Sequence, residues 1–202
     1  MTDAGPANGV DVVEPTKAEL AHARRVAEAK ATVPHVYLER QVAGTRQGEV
    51  STTHLVRAAA TALRDFPRLN GAYRDATFEL RSRINVGVAV ATDAGLAYPT
   101  IHDADRKETE EIASELAALA ERARDGTITQ PELSGSTFSL ADLAPLGISR
   151  AELVVNRGQA AILAVGVADS SAMNLTLACD NRIVHAPDAA AFLARTAALL
   201  VP

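Results

Sequence analysis

Tryptophan is absent from the 202 residues, and three tyrosines and four phenylalanines are the only other large aromatics. Cysteine occurs once, as Cys179. A lone thiol excludes a disulfide framework and a Cys-based metal site, and it fits a reducing cytosol. No apolar run reaches the ~18 residues needed to span a bilayer. The stretch Met1 to Val13 is acidic and has no apolar core, so it does not read as a signal peptide. Positive charge is in deficit, with 20 Lys and Arg against 25 Asp and Glu and a net charge of -5. That balance argues against a nucleic-acid or anionic-membrane partner. A cytoplasmic protein of one domain is the resulting expectation.

Alanine is what the chain has in abundance, at 41 residues. A core of Ala, Val and Leu packs closely but buries little area per side chain. Such a fold is expected to complete its burial against a partner subunit.

Residues 1–14 combine Gly5, Pro6 and Gly9 with acids and read as a disordered tail. A helix with a poor apolar stripe is expected from Lys17 to Lys30. Pro34 opens a strand through Val42, with Val36, Leu38 and Val42 on one face. Gly44 to Gly48 reads as a turn. Ser51 or Thr52 caps a helix carrying Leu55, Ala59, Leu63 and Phe66, and Pro67 stops it. Ile84 to Ala91 alternates as one strand whose Asn, Gly and Ala face must lie against something close, such as a helix backbone. A helix from Asp105 to Arg124 presents Ile112, Leu116, Leu119 and Ala123, and Gly126 ends it. Three strand-like runs follow, at Ser136–Leu140, Ala160–Val167 and Met173–Cys179. Pro187 opens a last helix with Phe192, Leu193, Thr196 and Leu200 inward. Interleaved strands and helices with no splitting linker give an α/β sandwich in one domain.

Neither a phosphate-binding loop nor a dinucleotide fingerprint is present, and no serine-hydrolase elbow occurs. His22, His35, His54, His102 and His185 lie at no zinc-like spacing with acids, so no metal site is expected. The informative segment is Cys179-Asp180-Asn181-Arg182-Ile183-Val184-His185-Ala186, between a strand and a Pro-started helix. Polar groups at such an element end are often where sites are built. Asp180 and Arg182 read equally as a structural ion pair that fixes the turn. His185 reads either as a surface residue or as an acid/base.

The order of segments resembles the catalytic domain of the 2-oxo acid dehydrogenase (dihydrolipoyl) acyltransferases, which are chloramphenicol-acetyltransferase-like. The resemblance rests on Pro34 to Leu38, Ala58 to Asn70, Ile84 to Thr92 with Gly95, Leu96 and Pro99, Leu119 to Gly126, Ser134 to Leu140, and Gln159 to Gly166. It implies an acyltransferase-like domain over 15–202: a single-domain sandwich of a mixed sheet with packed helices, without a lipoyl or subunit-binding domain. It also implies a homotrimer whose active site lies between subunits, reached by lipoyl-lysine from one end and coenzyme A from the other. In the family pattern a His-Arg-x-x-Asp-Gly motif supplies the general base, and a serine of the neighbouring subunit stabilises the oxyanion.

The sequence departs from that pattern at each chemical position. Asn181 stands where the base should be, beside a retained Arg182. His185 stands at the motif Asp, Ala186 at its Gly, and Ala141 at the oxyanion serine. Three readings follow. The first is a recruited enzyme acting on an acyl thioester, CoA- or carrier-linked, and a small-molecule partner. In it His185 is a relocated acid/base, His102 a second candidate, and Ser139 a displaced hydroxyl. The second is a catalytically dead paralogue that serves as a structural subunit. The third is a ligand-binding protein that uses the channel without chemistry. None requires a resident cofactor.

Overall fold

The computed structural model describes residues 10–44, 50–93, 95–169 and 171–201. Residues 1–9 of the expected tail and 45–48 of the expected turn lie outside the described residues. Helix α1 (Lys17–Thr32) starts at a reciprocal cap. Thr16 Oγ1 accepts the Glu19 N–H, and the Glu19 carboxylate accepts the Thr16 N–H at 2.7 Å. Such a box satisfies two orphan donors of the first turn. Strand β1 (His35–Ala43) and helix α2 (Thr52–Leu63) follow. Ser51 is the N-cap of α2, while Phe66 lies in the turn past its end.

Next come two hairpins and two short strands: β2 (Gly71–Arg74) with β3 (Thr77–Leu80), β4 (Val86–Val88), β5 (Val90–Thr92) with β6 (Gly95–Ala97), and β7 (Thr100–Ile101). Helix α3 (Thr109–Arg124), strands β8 (Phe138–Asp142), β9 (Ala161–Asp169) and β10 (Ala172–Asp180), and helix α4 (Ala186–Leu200) complete the chain.

Six strands form one mixed sheet in the order β1-β10-β9-β8-β4-β7. Strand β8 runs parallel to both β9 and β4, and the other neighbours are antiparallel. Helices α2 and α4 share one buried core with the strands, centred on Phe138, Leu163, Leu177 and Phe192. Val155, Ile162 and Ala178 form a smaller cluster with Tyr37, Tyr98 and Leu153 packed against it. The mixed sheet with packed helices is the architecture the sequence implied.

Three local expectations are corrected. The run Ile84 to Ala91 is not one strand. The Ala89 N–H donates to Leu140 O, after which the chain enters the separate β5–β6 hairpin. The small-residue face of the run does lie against something close, which at Gly87 is a pair of serines. A Cβ on Gly87 would lie 3.1 Å from Ser136 Cβ and 3.5 Å from Ser139 Oγ. The long helix begins at Thr109 and not at Asp105, because Ala104–Arg106 forms a tight turn. There Arg64 Nε donates to the Asp105 carboxylate at 2.8 Å and Arg57 to its carbonyl at 2.9 Å. The run Ser136–Leu140 enters the sheet two residues later, at Phe138. The Thr137 N–H is taken by Asn85 O and the Thr137 hydroxyl by Asn70.

Candidate functional site

The site is built at the end of β10. Asp180, its last residue, is 2% exposed and lies opposite His35 of β1. Its carboxylate accepts the backbone N–H of Arg182 at 3.0 Å, Arg182 Nε at 2.9 Å and Arg182 Nη2 at 2.7 Å. Its carbonyl accepts the N–H groups of Ile183 and Val184, which closes the turn into α4. The guanidinium also lies 4.5 Å from the Tyr73 ring centroid on β2. The hydrogen bonds that Arg182 donates to Asp180 raise the Arg182 pKa above its ordinary value. A buried carboxylate is tolerable only when paired in this way. Asp180 and Arg182 thus form the structural pair that the sequence allowed.

Asn181 and His185 flank that turn on the outside. Asn181 is exposed, and its backbone N–H donates to Pro34 O at 3.0 Å. His185 is the exposed N-cap residue of α4 and makes no side-chain cap bond. Ala141 is 2% exposed on β8, opposite Ala164 of β9. Ser139, two residues earlier, is fully enclosed. Its hydroxyl donates to Gln159 Oε1 at 2.8 Å and accepts Asn156 Nδ2 at 2.9 Å. Gln159 Nε2 then donates to Ser136 Oγ at 2.9 Å. Both bonding directions of Ser139 are therefore used inside a polar seam. His102 is half-buried beside Gly135, its Cε1 3.3 Å from where a Cβ of that glycine would lie. No hydrogen bond joins any two of His102, Ser139, Asn181 and His185 among the described residues.

A cleft of about 740 Å³ opens beside Asp180 and Arg182. Tyr73 and Asp75 of the β2–β3 hairpin, Asn156 and Gln159 line it, and α1 forms one wall. No histidine lines it. Its rim arginines are largely matched by acids: Arg157 faces Glu28 at 3.5 Å and Arg74 faces Glu79 at 3.4 Å. Among the described residues no group of three or more His, Cys, Asp or Glu is placed to hold a metal ion. No described helix is long and apolar enough to cross a membrane. Burial, and secondarily the Asp180 charge, pushes the Cys179 thiol up to about 12, so it stays protonated.

Sequence reasoning missed Tyr73, Asn156 and Gln159 as cleft residues. The one available signal was three polar positions, Asn156, Arg157 and Gln159, directly before the apolar run that opens β9. It also missed His35 as anything beyond a strand residue. The ring bridges two backbone groups, at 2.8 Å from Nδ1 to Val33 O and 3.0 Å from Nε2 to the Val155 nitrogen.

Comparison with known proteins follows from this geometry. Residues 8–201 match the family model described as 2-oxoacid dehydrogenases acyltransferase (catalytic domain). The chain is 34% identical over 195 residues to the dihydrolipoyllysine-residue acetyltransferase component 3 of the mitochondrial pyruvate dehydrogenase complex of Arabidopsis thaliana. That match covers 80% of this chain and 36% of the plant protein, so the chain spans about a third of its relative's length. A truncated catalytic core of the 2-oxoacid dehydrogenase multienzyme complex from Thermoplasma acidophilum superposes with a TM-score of 0.87 at 27% identity, covering 95% of this chain and 98% of that one. A chloramphenicol acetyltransferase shares the fold at a TM-score of 0.55 and 11% identity, over 88% of this chain and 94% of that one.

Proposed function

The chain belongs to the 2-oxoacid dehydrogenase acyltransferase family, and we propose that it is a core-forming member without ordinary dihydrolipoyl acetyl transfer. The observation that carries this reading is Asn181, an exposed amide at the position the family pattern gives to the general base. An amide takes up no proton near neutral pH, and loss of a general base costs typically ~10²–10⁴ in rate. Ala141 at the oxyanion-serine position removes a donor worth a further ~10²–10³. The neighbouring hydroxyl offers no substitute, since Ser139 is committed to Gln159 and Asn156.

The scaffold itself argues for assembly and ligand capture. Leu146 and Ile148 are exposed beyond β8, and similarity to the core of a multienzyme complex supports a homotrimer or a larger core. The cleft beside Arg182 is the proposed site for an acyl thioester, coenzyme A- or carrier-linked, as a bound ligand and not a resident cofactor. We place the protein in the cytoplasm, in keeping with its single buried thiol.

A second reading rests on His185, an exposed imidazole not engaged with its helix. There the protein is a recruited acyltransferase with His185 as acid/base. The test is acetyl-CoA:dihydrolipoamide transfer beside an ordinary family member. Turnover is expected at or below detection, and a comparable rate overturns the proposal. Joint substitution of Ala141→Ser, Asn181→His and His185→Asp is expected to raise it. His185→Ala leaves residual acyl-CoA turnover unchanged on the first reading and abolishes it on the second.

A further inference from the structure

The stretch 151–158 has no helix or strand, yet it seats a core residue and lines one wall of the cleft. Val155 is 1% exposed in the small cluster with Ile162 and Ala178. Asn156, the next residue, reaches Ser139 and lines the cleft, and α1 faces the stretch across a small cavity lined by Val26 and Ala29. A buried N–H must find an acceptor. For Val155 that acceptor is Nε2 of His35.

The ring's protonation state follows from its partners. Val33 O, 2.8 Å from Nδ1, can only accept, so the proton sits on Nδ1. Nε2 then carries the lone pair that receives the Val155 N–H. A second proton would turn this acceptor into a donor and set two N–H groups face to face at 3.0 Å. We propose that His35 is a pH-sensitive latch: neutral, it pins stretch 151–158 through Val155, and on protonation it releases that wall of the cleft.

From α1, His22 and Arg25 line a small cavity against Val155 and Asn156. Tyr37 stacks on the ring at 5.9 Å, and Lys30 donates to the Tyr37 hydroxyl at 2.8 Å. Burial is the largest influence and holds the ring's pKa below its ordinary 6.5. Lys30 acts in the same direction, while the Val33 bond and Asp180 oppose it. The Asp180 carboxylate is already engaged with Arg182. The covering stretch carries Glu152 and Arg157, which are paired with Arg150 and Glu28. Because the folded pKa is depressed below 6.5, the latch is closed at pH values above 6.5 and is lost as pH falls through the folded pKa.

Amide hydrogen exchange on the full chain tests this without reference to activity. Between about pH 7.5 and about pH 5, the protection factor of the Val155 amide is expected to fall on the order of tenfold, as for loss of one hydrogen bond to a buried N–H. The Leu163 amide in β9 is expected to keep its protection. In His35→Gln the side-chain carbonyl accepts at either pH, so the pH dependence disappears. Equal Val155 protection at both pH values in the wild type, or a dependence retained in His35→Gln, overturns the latch. Should the variant not fold, ring ¹⁵N shifts of the native protein decide: Nδ1–H at pH 7.5 supports the latch and Nε2–H overturns it. The consequence for ligand entry rests on the proposed function and is read separately, by acetyl-CoA binding at both pH values. Weaker binding at the lower pH supports that consequence. No binding at either pH, with the exchange result intact, defeats the proposed ligand and leaves the latch standing.

Discussion

Replacing Arg182 with alanine strips the Asp180 carboxylate of its guanidinium while leaving it buried. Among the described residues Asp180 would keep only the backbone N–H of residue 182, at 3.0 Å, as a partner for the carboxylate. Removing one member of a buried pair costs about 3–5 kcal/mol, because the remaining charge is uncompensated. The Arg182 side chain is 32% exposed, so water can enter the space it leaves. The lower end of that range, about 3 kcal/mol, is therefore the expected loss, the contact with Tyr73 included. For a chain of this size that corresponds to a fall in Tm of about 6–12 °C. Urea denaturation at fixed protein concentration measures it, since assembly makes apparent stability concentration-dependent. The companion is Asp180→Asn with Arg182→Leu, which removes both charges and should cost less than Arg182→Ala alone. A loss below about 1 kcal/mol for Arg182→Ala, or strict additivity of the two sites, would refute the view that the pair holds this turn.

Ser139→Ala leaves the amides of Asn156 and Gln159 each short of a partner and should cost about 1–3 kcal/mol in the same assay. Ala76 and Asp75 both sit at positive φ, 61° and 47°, in the two-residue turn between β2 and β3. Ala76→Gly relieves the strain there and should stabilise the fold by about 0.5–1 kcal/mol, seen as a higher urea midpoint. Gly166→Ala would place a Cβ 2.3 Å from Ser149 O and 2.7 Å from Ile148 O, forcing that loop off β9. A loss of at least about 1–3 kcal/mol is expected, and an unchanged midpoint would mean that the loop yields freely.

Local signals made the helices legible. Ser51 before an apolar stripe marked α2, Pro187 marked α4, and the spacing of Ile112, Leu116, Leu119 and Ala123 marked α3. The long strands β9 and β10 were readable because their apolar runs exceed a single turn. The β2–β3 hairpin was not, since its turn is Asp75-Ala76, without the glycine or asparagine that usually announces φ > 0. Nor was the break at Ala89, which is set by a hydrogen bond to Leu140 and by no local residue preference. The Asp180–Arg182 pair was readable because its partners are two residues apart. The seam joins residues 17 to 23 positions apart, and the His35 latch joins two that are 120 apart. Their partners are fixed by the sheet order, which puts β1 beside β10 and β8 beside β9.

That difference bears on what retained residues mean. On the proposed reading, two of the three positions set apart from the family pattern, 181 and 185, are ones the fold scarcely constrains. Asn181 and His185 project from the surface, and Ala141 sits opposite another alanine. Asn181→Ala and His185→Ala should each shift stability by less than about 0.5 kcal/mol, as exposed substitutions do. Ala141→Ser, which buries a hydroxyl, should cost about 1–3 kcal/mol unless it finds a partner. Asp180 and Arg182 cannot be exchanged so cheaply, because they hold the turn between β10 and α4. Their presence is thus fully accounted for by folding and is no sign that acyl transfer persists. If Asn181→Ala or His185→Ala instead destabilised the chain by more than about 1 kcal/mol, those residues would have a structural task of their own in this turn.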